Sequence, residues 1–209
     1  GLGDVYKRQE EARLLALCLV CHAEHGGGNN STFTCRSVSS TGTDTYSAIA
    51  AAVGSLKGPK HGGANRQVLA QFSLIKQTVR DWKDDDAVAD CVGRILRREL
   101  GDGSGLIYGM GHAVYTLSDP RTVILRQSAR TLAAQRGMLD ELELMEAVER
   151  VTPRVFAEVT GHEKVMCANV DMYSGLIYQM LDIPPDLFTP LFAVARITGC
   201  LLYTSDAAD

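Results

Sequence analysis

The side chains best suited to acid–base chemistry lie in three separate stretches, the first around His61. Within residues 56–65, Gly58-Pro59 interrupts one apolar run and Gly62-Gly63 precedes the next. This pattern predicts the end of one helix, a backbone that passes close to whatever His61 faces, and the start of another helix. Because peptide dipoles disfavour a proton on a ring just ahead of a helix N-terminus, we expect a neutral imidazole that donates a hydrogen bond. His61 is therefore either a structural hydrogen-bonding residue or a catalytic donor.

The second stretch, Gly109-Met110-Gly111-His112, repeats this arrangement of a histidine beside glycines ahead of a helix. Asp119-Pro120-Arg121 follows and begins that helix. Backbone amides in a glycine-rich loop can meet phosphate, and an arginine at a helix start adds positive charge, so this segment suits an anionic ligand. The alternative is a simple helix cap.

A carboxylate and a guanidinium stand in apolar surroundings further along. Asp171 begins an apolar run, where it either caps a helix or acts as a desolvated general base. Arg196 follows Phe192-Ala193-Val194-Ala195, so its guanidinium must pair with an anion or extend to water. A bound carboxylate would satisfy it with two parallel hydrogen bonds.

One further segment allows three interpretations. Cys18-Leu19-Val20-Cys21-His22 matches the c-type haem attachment pattern, although the chain shows no export signal. His22 and His25 could instead bind zinc, but metal-binding helices usually space two histidines four residues apart, and no third strong ligand is near in sequence. In the remaining alternative, the glycines at 26–28 end a helix and let His25 and Asn29 point into a polar ligand site.

The elements that must position these groups are helices. Apolar residues recur at helical spacing in residues 10–21, 45–56, 68–79, 88–96, 120–133, 138–148 and 171–181. Thr152-Pro153 predicts the start of a separate short helix through Val159, and Pro185 opens the last one. Asp44 is the expected N-cap of the second helix, and the acidic run at 84–86 suits the dipole of the helix that follows it. Because strand-like alternation is nearly absent, we predict an all-α fold.

Composition excludes several classes of function. With 209 residues and 45% hydrophobic content, the chain can form one domain or parts of two. A net charge of −4 with no long basic run gives no footprint for nucleic acid. No apolar stretch of membrane-spanning length and no signal peptide are evident, so we expect no membrane association. The six cysteines lie mostly singly in apolar runs, which favours a reducing cytoplasm.

In their order along the chain, these segments together resemble the citrate synthase family. The matching blocks are His22-Ala23-Glu24-His25 with Asn29 and Ser31-Thr32-Phe33-Thr34, residues 58–65, residues 109–115 with Asp119-Pro120-Arg121, residues 169–175, and Phe188-Thr189 through Arg196. The resemblance implies a two-domain helical dimer that condenses oxaloacetate with acetyl-coenzyme A (acetyl-CoA) to citrate and CoA. It implies no metal and no tightly bound cofactor, with the CoA thioester as co-substrate.

The resemblance also implies roles for single residues. Asp171 would remove a methyl proton from the thioester, His61 would hydrogen-bond the thioester oxygen, and His112 would polarise the ketone of oxaloacetate. The expected substrate contacts are His25, Asn29, Arg121 and Arg196. CoA would lie along residues 106–115, which include Gly109 and Gly111, with Lys164 near its phosphates.

The resemblance implies an incomplete fold, with its N-terminal part and C-terminal end missing. Residues 10–63 and 181–200 would belong to the large domain and residues 64–180 to the small, closing domain. Residues 1–9 and 201–209 look foreign to the rest. Because a substrate-binding arginine from the partner subunit would lie downstream, we expect this chain to be poorly active. The rival activity is that of a 2-methylcitrate synthase, which accepts propionyl-CoA.

Overall fold

The computed structural model describes residues 2–24, 26–58, 61–112, 115 and 117–205, with side chains from residue 8 to residue 200. Within these residues the regular structure is helical and no strand occurs. The all-α prediction is therefore confirmed. The helices are α1 (Leu2–Ala23), α2 (Asn30–Ser39), α3 (Thr45–Lys57), α4 (Ala64–Thr78), α5 (Asp85–Leu96), α6 (Pro120–Arg136), α7 (Leu139–Thr160), α8 (Asp171–Met180) and α9 (Phe188–Ser205), with a 3-10 turn at Pro185–Leu187 before α9.

Aspartate side chains fix the starts of three helices. Asp44 accepts a hydrogen bond from the Ser47 amide at 3.0 Å, as predicted for the N-cap of α3. Asp84 accepts from two amides in the first turn of α5, and Asp119 accepts from the Arg121 amide at the start of α6. Each carboxylate satisfies amides that have no partner within the helix and lies at the favourable end of its dipole.

The structure differs from the helix predictions in three places. Helix α1 begins at Leu2 rather than near residue 10, so residues that we had set aside continue the same helix. Helix α2 was not predicted, because its serine- and threonine-rich sequence shows little apolar periodicity. The break expected at Thr152-Pro153 does not occur, and α7 runs through Pro153 without interruption.

Packing explains why α7 continues past the proline. Val151, Thr152 and Val155 are all buried, and the Thr152 hydroxyl donates to the Val148 carbonyl at 2.6 Å. Proline offers no amide to the carbonyl one turn earlier, which costs free energy locally. Burial of the neighbouring apolar side chains outweighs that local cost.

Helix α8 lies at the centre of the larger of two apolar clusters. All residues from Met172 to Tyr178 are buried, which accounts for a sequence that is apolar on every side. This cluster also draws on α1 and α4–α7, and Phe188 at the start of α9 joins it. The smaller cluster comprises Cys35, Ala48, Ala52 and Cys200, from α2, α3 and α9. The N-terminus of α8, where Asp171 lies, is thus held by the main core.

The predicted division into a part formed by residues 10–63 and 181–200 and a part formed by residues 64–180 stays a prediction. The larger cluster includes residues from both parts. None of the helices in the described ranges has the length and apolar character needed to cross a membrane.

The proline inside α7 gives a test of this account of packing. Pro153→Ala restores an amide donor in mid-helix, so we expect the free energy of unfolding to rise by about 1 to 3 kcal/mol. Pro120→Ala is the matched control, because the first helical position has no intrahelical amide bond to restore. Urea unfolding followed by circular dichroism measures both. Equal effects, or a loss of stability in Pro153→Ala, would contradict the explanation.

Candidate active site

Asp171 is fixed in place by hydrogen bonds between two loops. Its amide donates to the Asn169 side-chain oxygen at 3.0 Å. The Asn169 amide donates to the Gly109 carbonyl at 2.8 Å, and its side-chain nitrogen donates to the Gly111 carbonyl at 3.0 Å. The Gly111 amide donates in turn to the Cys167 carbonyl at 2.8 Å. The loop predicted to contact CoA therefore uses polar groups of both glycines to hold the start of α8.

Gly109 is required by geometry. Its φ of +86° lies in the left-handed region, and a Cβ there would lie 2.8 Å from the Met172 sulfur. Gly111 also has a positive φ, +89°, but a Cβ there would meet open space. Of these two glycines, only Gly109 would displace a neighbour if it carried a side chain, and that neighbour is Met172, next to Asp171.

The carboxyl group of Asp171 has the ionisation behaviour of a general base. Its side chain is 19% exposed, and burial raises its pKa from 3.8 to about 6, with Asp119 adding to the effect. The guanidinium groups of Arg121 and Arg196 act in the opposite direction and lower the pKa. A carboxylate whose pKa lies close to neutral accepts a proton more readily than an ordinary aspartate does.

His112 and Arg121, both partly buried, form a connected group around the buried Asp119. Arg121 donates to both oxygens of Asp119, at 3.0 and 2.7 Å, and one of its nitrogens lies 3.3 Å from His112 Nε2. His112 Nδ1 accepts from the Tyr115 amide at 2.8 Å, and this shorter contact favours the neutral tautomer with its proton on Nε2 over an acceptor at Nε2 for Arg121. Burial lowers the pKa of His112, and Arg121 lowers it further against the opposing effect of Asp119. A neutral ring with its proton on Nε2 can donate a hydrogen bond from that nitrogen to a ligand.

His61 lies immediately before α4, as predicted, and contacts α2. The Ser31 amide donates to His61 Nε2 at 3.2 Å, and the Ser31 hydroxyl lies 2.9 Å from the same atom. That hydroxyl donates to the Asn29 side-chain oxygen at 3.0 Å. With Nε2 as acceptor, the neutral ring carries its proton on Nδ1. Burial, and then the charge of Arg196, lowers the pKa of His61, in agreement with the neutral ring expected from the sequence.

Arg196 is the strongest sign of an anion site. The residue is 2% exposed, and its Nε donates to the His22 carbonyl at 2.7 Å. Its two terminal nitrogens have no hydrogen-bond partner among the described residues. The guanidinium carbon lies 4.6 Å from the centre of the Phe192 ring. A buried guanidinium with two parallel donors unused is suited to a carboxylate that binds bidentately.

Two residues that contact this site were not assigned roles from the sequence. Ser31 orients His61, and its role could not be inferred because its partner lies thirty residues away. His22 is fully buried, its Nδ1 lies 2.7 Å from the Cys18 carbonyl, and its Nε2 lies 4.0 Å from Asp171. The sequence placed His22 in the cysteine–histidine pattern, which suggested haem or zinc, and in a block that resembles the family, but it gave His22 no role of its own. Cys18 has no exposed surface.

The structure links most of the predicted site residues. Arg121 donates to the Cys21 carbonyl at 3.4 Å, and Arg196 to that of the next residue, so the end of α1 holds both arginines. The Phe192 ring meets His22 edge-on with centroids 4.9 Å apart, and His61 with centroids 6.2 Å apart.

Two predicted residues remain outside this arrangement. His25 lies outside the described residues, and Lys164 is exposed in the stretch before Cys167, so both assignments stay predictions. Among the described residues, no group of three or more His, Cys, Asp or Glu side chains is placed to hold a metal ion.

Known proteins resemble this chain along most of its length. The family model for the C-terminal domain of citrate synthase matches residues 3–202. A citrate synthase from Synechocystis sp. is 42% identical over 92% of this chain and 44% of its own length. A 2-methylcitrate synthase from Corynebacterium glutamicum is 37% identical over 94% of this chain and 46% of its own length. The chain thus spans less than half the length of these curated relatives.

Solved structures agree in fold. The ternary complex of carboxymethyl-CoA and oxaloacetate with citrate synthase from Thermoplasma acidophilum superposes with a TM-score of 0.76 at 27% identity. The match covers 96% of this chain and 49% of that one. The helical scaffold described above is therefore shared with a protein whose structure holds both ligands.

The close contact at Gly109 gives a first prediction for the site. Gly109→Ala and Gly111→Ala both place a side chain at a positive φ, but only the first also displaces Met172. We expect Gly109→Ala to lose about 1 to 3 kcal/mol more of the free energy of unfolding than Gly111→Ala. Chemical denaturation compares the two, and equal losses would mean that the Met172 contact does not matter.

The raised pKa of Asp171 predicts a pH-dependent gain in stability for Asp171→Asn. Between 3.8 and about 6 the folded protein binds more protons than the unfolded chain, so wild-type stability falls as pH rises through this window. Asparagine removes that loss. Above pH 6, the free energy of unfolding of the variant should exceed that of wild type by about 1 to 3 kcal/mol, after allowance for partial exposure of the side chain. Below pH 3.8 the difference should be small.

Denaturant midpoints at the two ends of that pH range test this expectation. Asp90→Asn is the control, since Asp90 is exposed on α5 and its substitution should give no such pH dependence. A gain for Asp171→Asn that is the same at both pH values would contradict the role of burial.

Proposed function

Because the chain belongs to the citrate synthase family, we propose that the protein of which it is part condenses acetyl-CoA with oxaloacetate to give citrate and CoA. The observation that carries this proposal is buried Arg196, whose charge acts on Asp171 and whose two terminal guanidinium nitrogens have no hydrogen-bond partner in the described part of the chain. A dicarboxylate needs such a cation, and a carbon acid needs such a base.

In the proposed reaction, Asp171 removes a proton from the methyl group of the thioester. The electron pair of the C–H bond moves into the enolate, whose oxygen would accept a hydrogen bond from His61 Nδ1. A thioester methyl is a very weak acid, so a carboxylate can deprotonate it only beside a preorganised donor. Loss of one such donor typically costs about 100- to 1,000-fold in rate.

The new carbon–carbon bond would form at the ketone of oxaloacetate. As the enolate carbon attacks, the ketone oxygen takes a proton from His112, whose Nε2 carries it in the neutral ring. Arg121 and Arg196 would hold the two carboxylates, with Asn29 and His25 as further contacts. The proton taken up by Asp171 replaces the one that His112 gave, which restores both groups. Water then cleaves the thioester bond, CoA leaves as the thiol, and acetyl-CoA, oxaloacetate and water give citrate, CoA and one proton.

The other proposed properties follow from the family. CoA is a co-substrate that would lie along residues 106–115, with Lys164 near its phosphates, and no cofactor would be tightly bound. The full-length protein would be a homodimer. A cytoplasmic location is supported by six cysteines that are all buried and unpaired.

A 2-methylcitrate synthase is the second candidate, and the relative from Corynebacterium glutamicum favours its consideration. It would use propionyl-CoA in the same steps. One methylene group changes specificity by only about 1 to 3 kcal/mol, and the identities of the site residues do not decide between the two acyl donors. The ratio of products formed from equal amounts of acetyl-CoA and propionyl-CoA decides between the two.

Substrate binding and product formation test the proposal separately. We expect oxaloacetate to bind the chain in calorimetry and Arg196→Leu to abolish that binding, while His162→Leu, at an exposed histidine, leaves it unchanged. With the chain in excess over both substrates, mass spectrometry should detect citrate slowly formed, and Asp171→Asn should reduce its rate at least about 100-fold.

Two outcomes would contradict these expectations. Binding of oxaloacetate that survives Arg196→Leu would remove the main support for the proposed function. Turnover near about 10 per second, the level of an ordinary enzyme, would contradict the expectation that this chain alone is poorly active.

A further inference from the structure

A buried histidine that the mechanism above does not use lies beside its base. We propose that His22 is a positioning residue, whose Nε2 accepts a hydrogen bond from the carboxyl group of Asp171 whenever that group is protonated. The hydrogen bond itself is independent of any reaction, and its catalytic consequence rests on the proposed function.

The tautomer of His22 follows from its contact with α1. Nδ1 lies 2.7 Å from the Cys18 carbonyl oxygen, which can only accept a hydrogen bond. Nδ1 must therefore carry a proton, and in the neutral ring Nε2 presents a lone pair. The ring is fully buried, and burial lowers its pKa to about 4, with Arg196 and Arg121 acting in the same direction. At neutral pH, His22 is thus an acceptor at Nε2.

The distance between His22 Nε2 and Asp171 is that of two acceptors with no proton between them. His22 Nε2 has no hydrogen-bond partner among the described residues, and the nearest carboxylate oxygen, Asp171 Oδ1, lies 4.0 Å away. An ionised carboxylate offers no proton to a lone pair, so the two atoms stay apart. Protonation supplies the missing O–H, and a carboxyl movement of about 1 Å would bring the atoms within hydrogen-bond distance.

Other groups that face this pair come from the start of α6, from α9 and from α8 itself. On the side of Asp171, Arg121 and Arg196 favour the ionised form and Asp119 disfavours it. Tyr178, two turns further along α8, has a buried hydroxyl without a partner in the described residues, and its ring stacks on that of His22 with centroids 6.4 Å apart. The Tyr178 hydroxyl is therefore the rival acceptor that an experiment must exclude.

The consequence for the proposed reaction concerns where the abstracted proton stays. When the methyl C–H bond breaks, the proton forms an O–H bond on Asp171 and the electron pair remains on the enolate. Rotation about the Cβ–Cγ bond then turns that O–H towards His22 Nε2, away from the new nucleophile. Since burial lowers the pKa of His22 and raises that of Asp171, the proton stays on the carboxyl group.

Nuclear magnetic resonance of the chain without substrate tests the hydrogen bond directly. In wild type, the ¹⁵N shifts should identify Nδ1–H and a bare Nε2 at neutral pH, and Nε2 should shift as Asp171 takes up its proton, before the ring titrates. In His22→Phe, the ¹³C-labelled carboxyl group of Asp171 should titrate at a pH lower by about one, a tenfold loss of proton affinity. Tyr178→Phe is the matched control and should leave that titration unchanged.

Several results would overturn the inference. One is a proton on Nε2 of His22 in wild type. Another is a pH of Asp171 titration that His22→Phe leaves unchanged or raises. The third is a fall in that titration pH in Tyr178→Phe equal to the fall in His22→Phe. The wild-type tautomer decides the matter even if His22→Phe does not fold.

The test also separates this inference from the proposed function. Citrate formed by a chain in which the two groups titrate independently would overturn the role of His22 alone. Coupled titration in a chain that neither binds oxaloacetate nor forms citrate would overturn the proposed reaction and leave the hydrogen bond standing.

Discussion

The site depends on the way two arginines meet the end of one helix. The last carbonyls of α1 have no amide partners within the helix, and they lie at its negative end. Arg196 from α9 bonds the carbonyl of His22 at 2.7 Å, and Arg121 from α6 approaches that of Cys21 at 3.4 Å. Helix α1 thus brings together two guanidinium groups that are far apart in sequence. Since a backbone carbonyl occupies only one nitrogen of Arg196, the others stay available for a bound anion.

Two aspartates near these arginines have pKa values that are shifted in opposite directions. The pKa of Asp119, which burial would raise, is instead lowered, because Arg121 bonds both of its oxygens. The pKa of Asp171 is raised, because burial outweighs the more distant arginines. Asp119 is thereby fixed as a permanent counter-ion, whereas Asp171 can exchange a proton near neutral pH. Environments that shift the pKa values of two carboxyl groups in opposite directions typically give one group a structural role and the other a chemical one.

Sequence patterns predicted most helices but only part of the site. Apolar spacing and aspartate caps located α3, α5, α6 and α8, since these signals act within a few residues. Packing overrode local preference at Pro153 and in α2, and no local signal encodes such packing. Arg196 was recognisable as a charge in an apolar run. The role of His22 was not, because its partner Asp171 lies in another helix at the far end of the chain.

The edge-on position of Phe192 between His22 and His61 has a consequence for proton traffic. A hydrocarbon ring offers no lone pair and no exchangeable hydrogen, so it insulates one imidazole from the other. The Arg196 guanidinium, whose carbon lies 4.6 Å from the ring centre, also repels a hydronium ion at that face. The two histidines therefore exchange no proton through this ring, and each keeps the tautomer that its own backbone contact dictates.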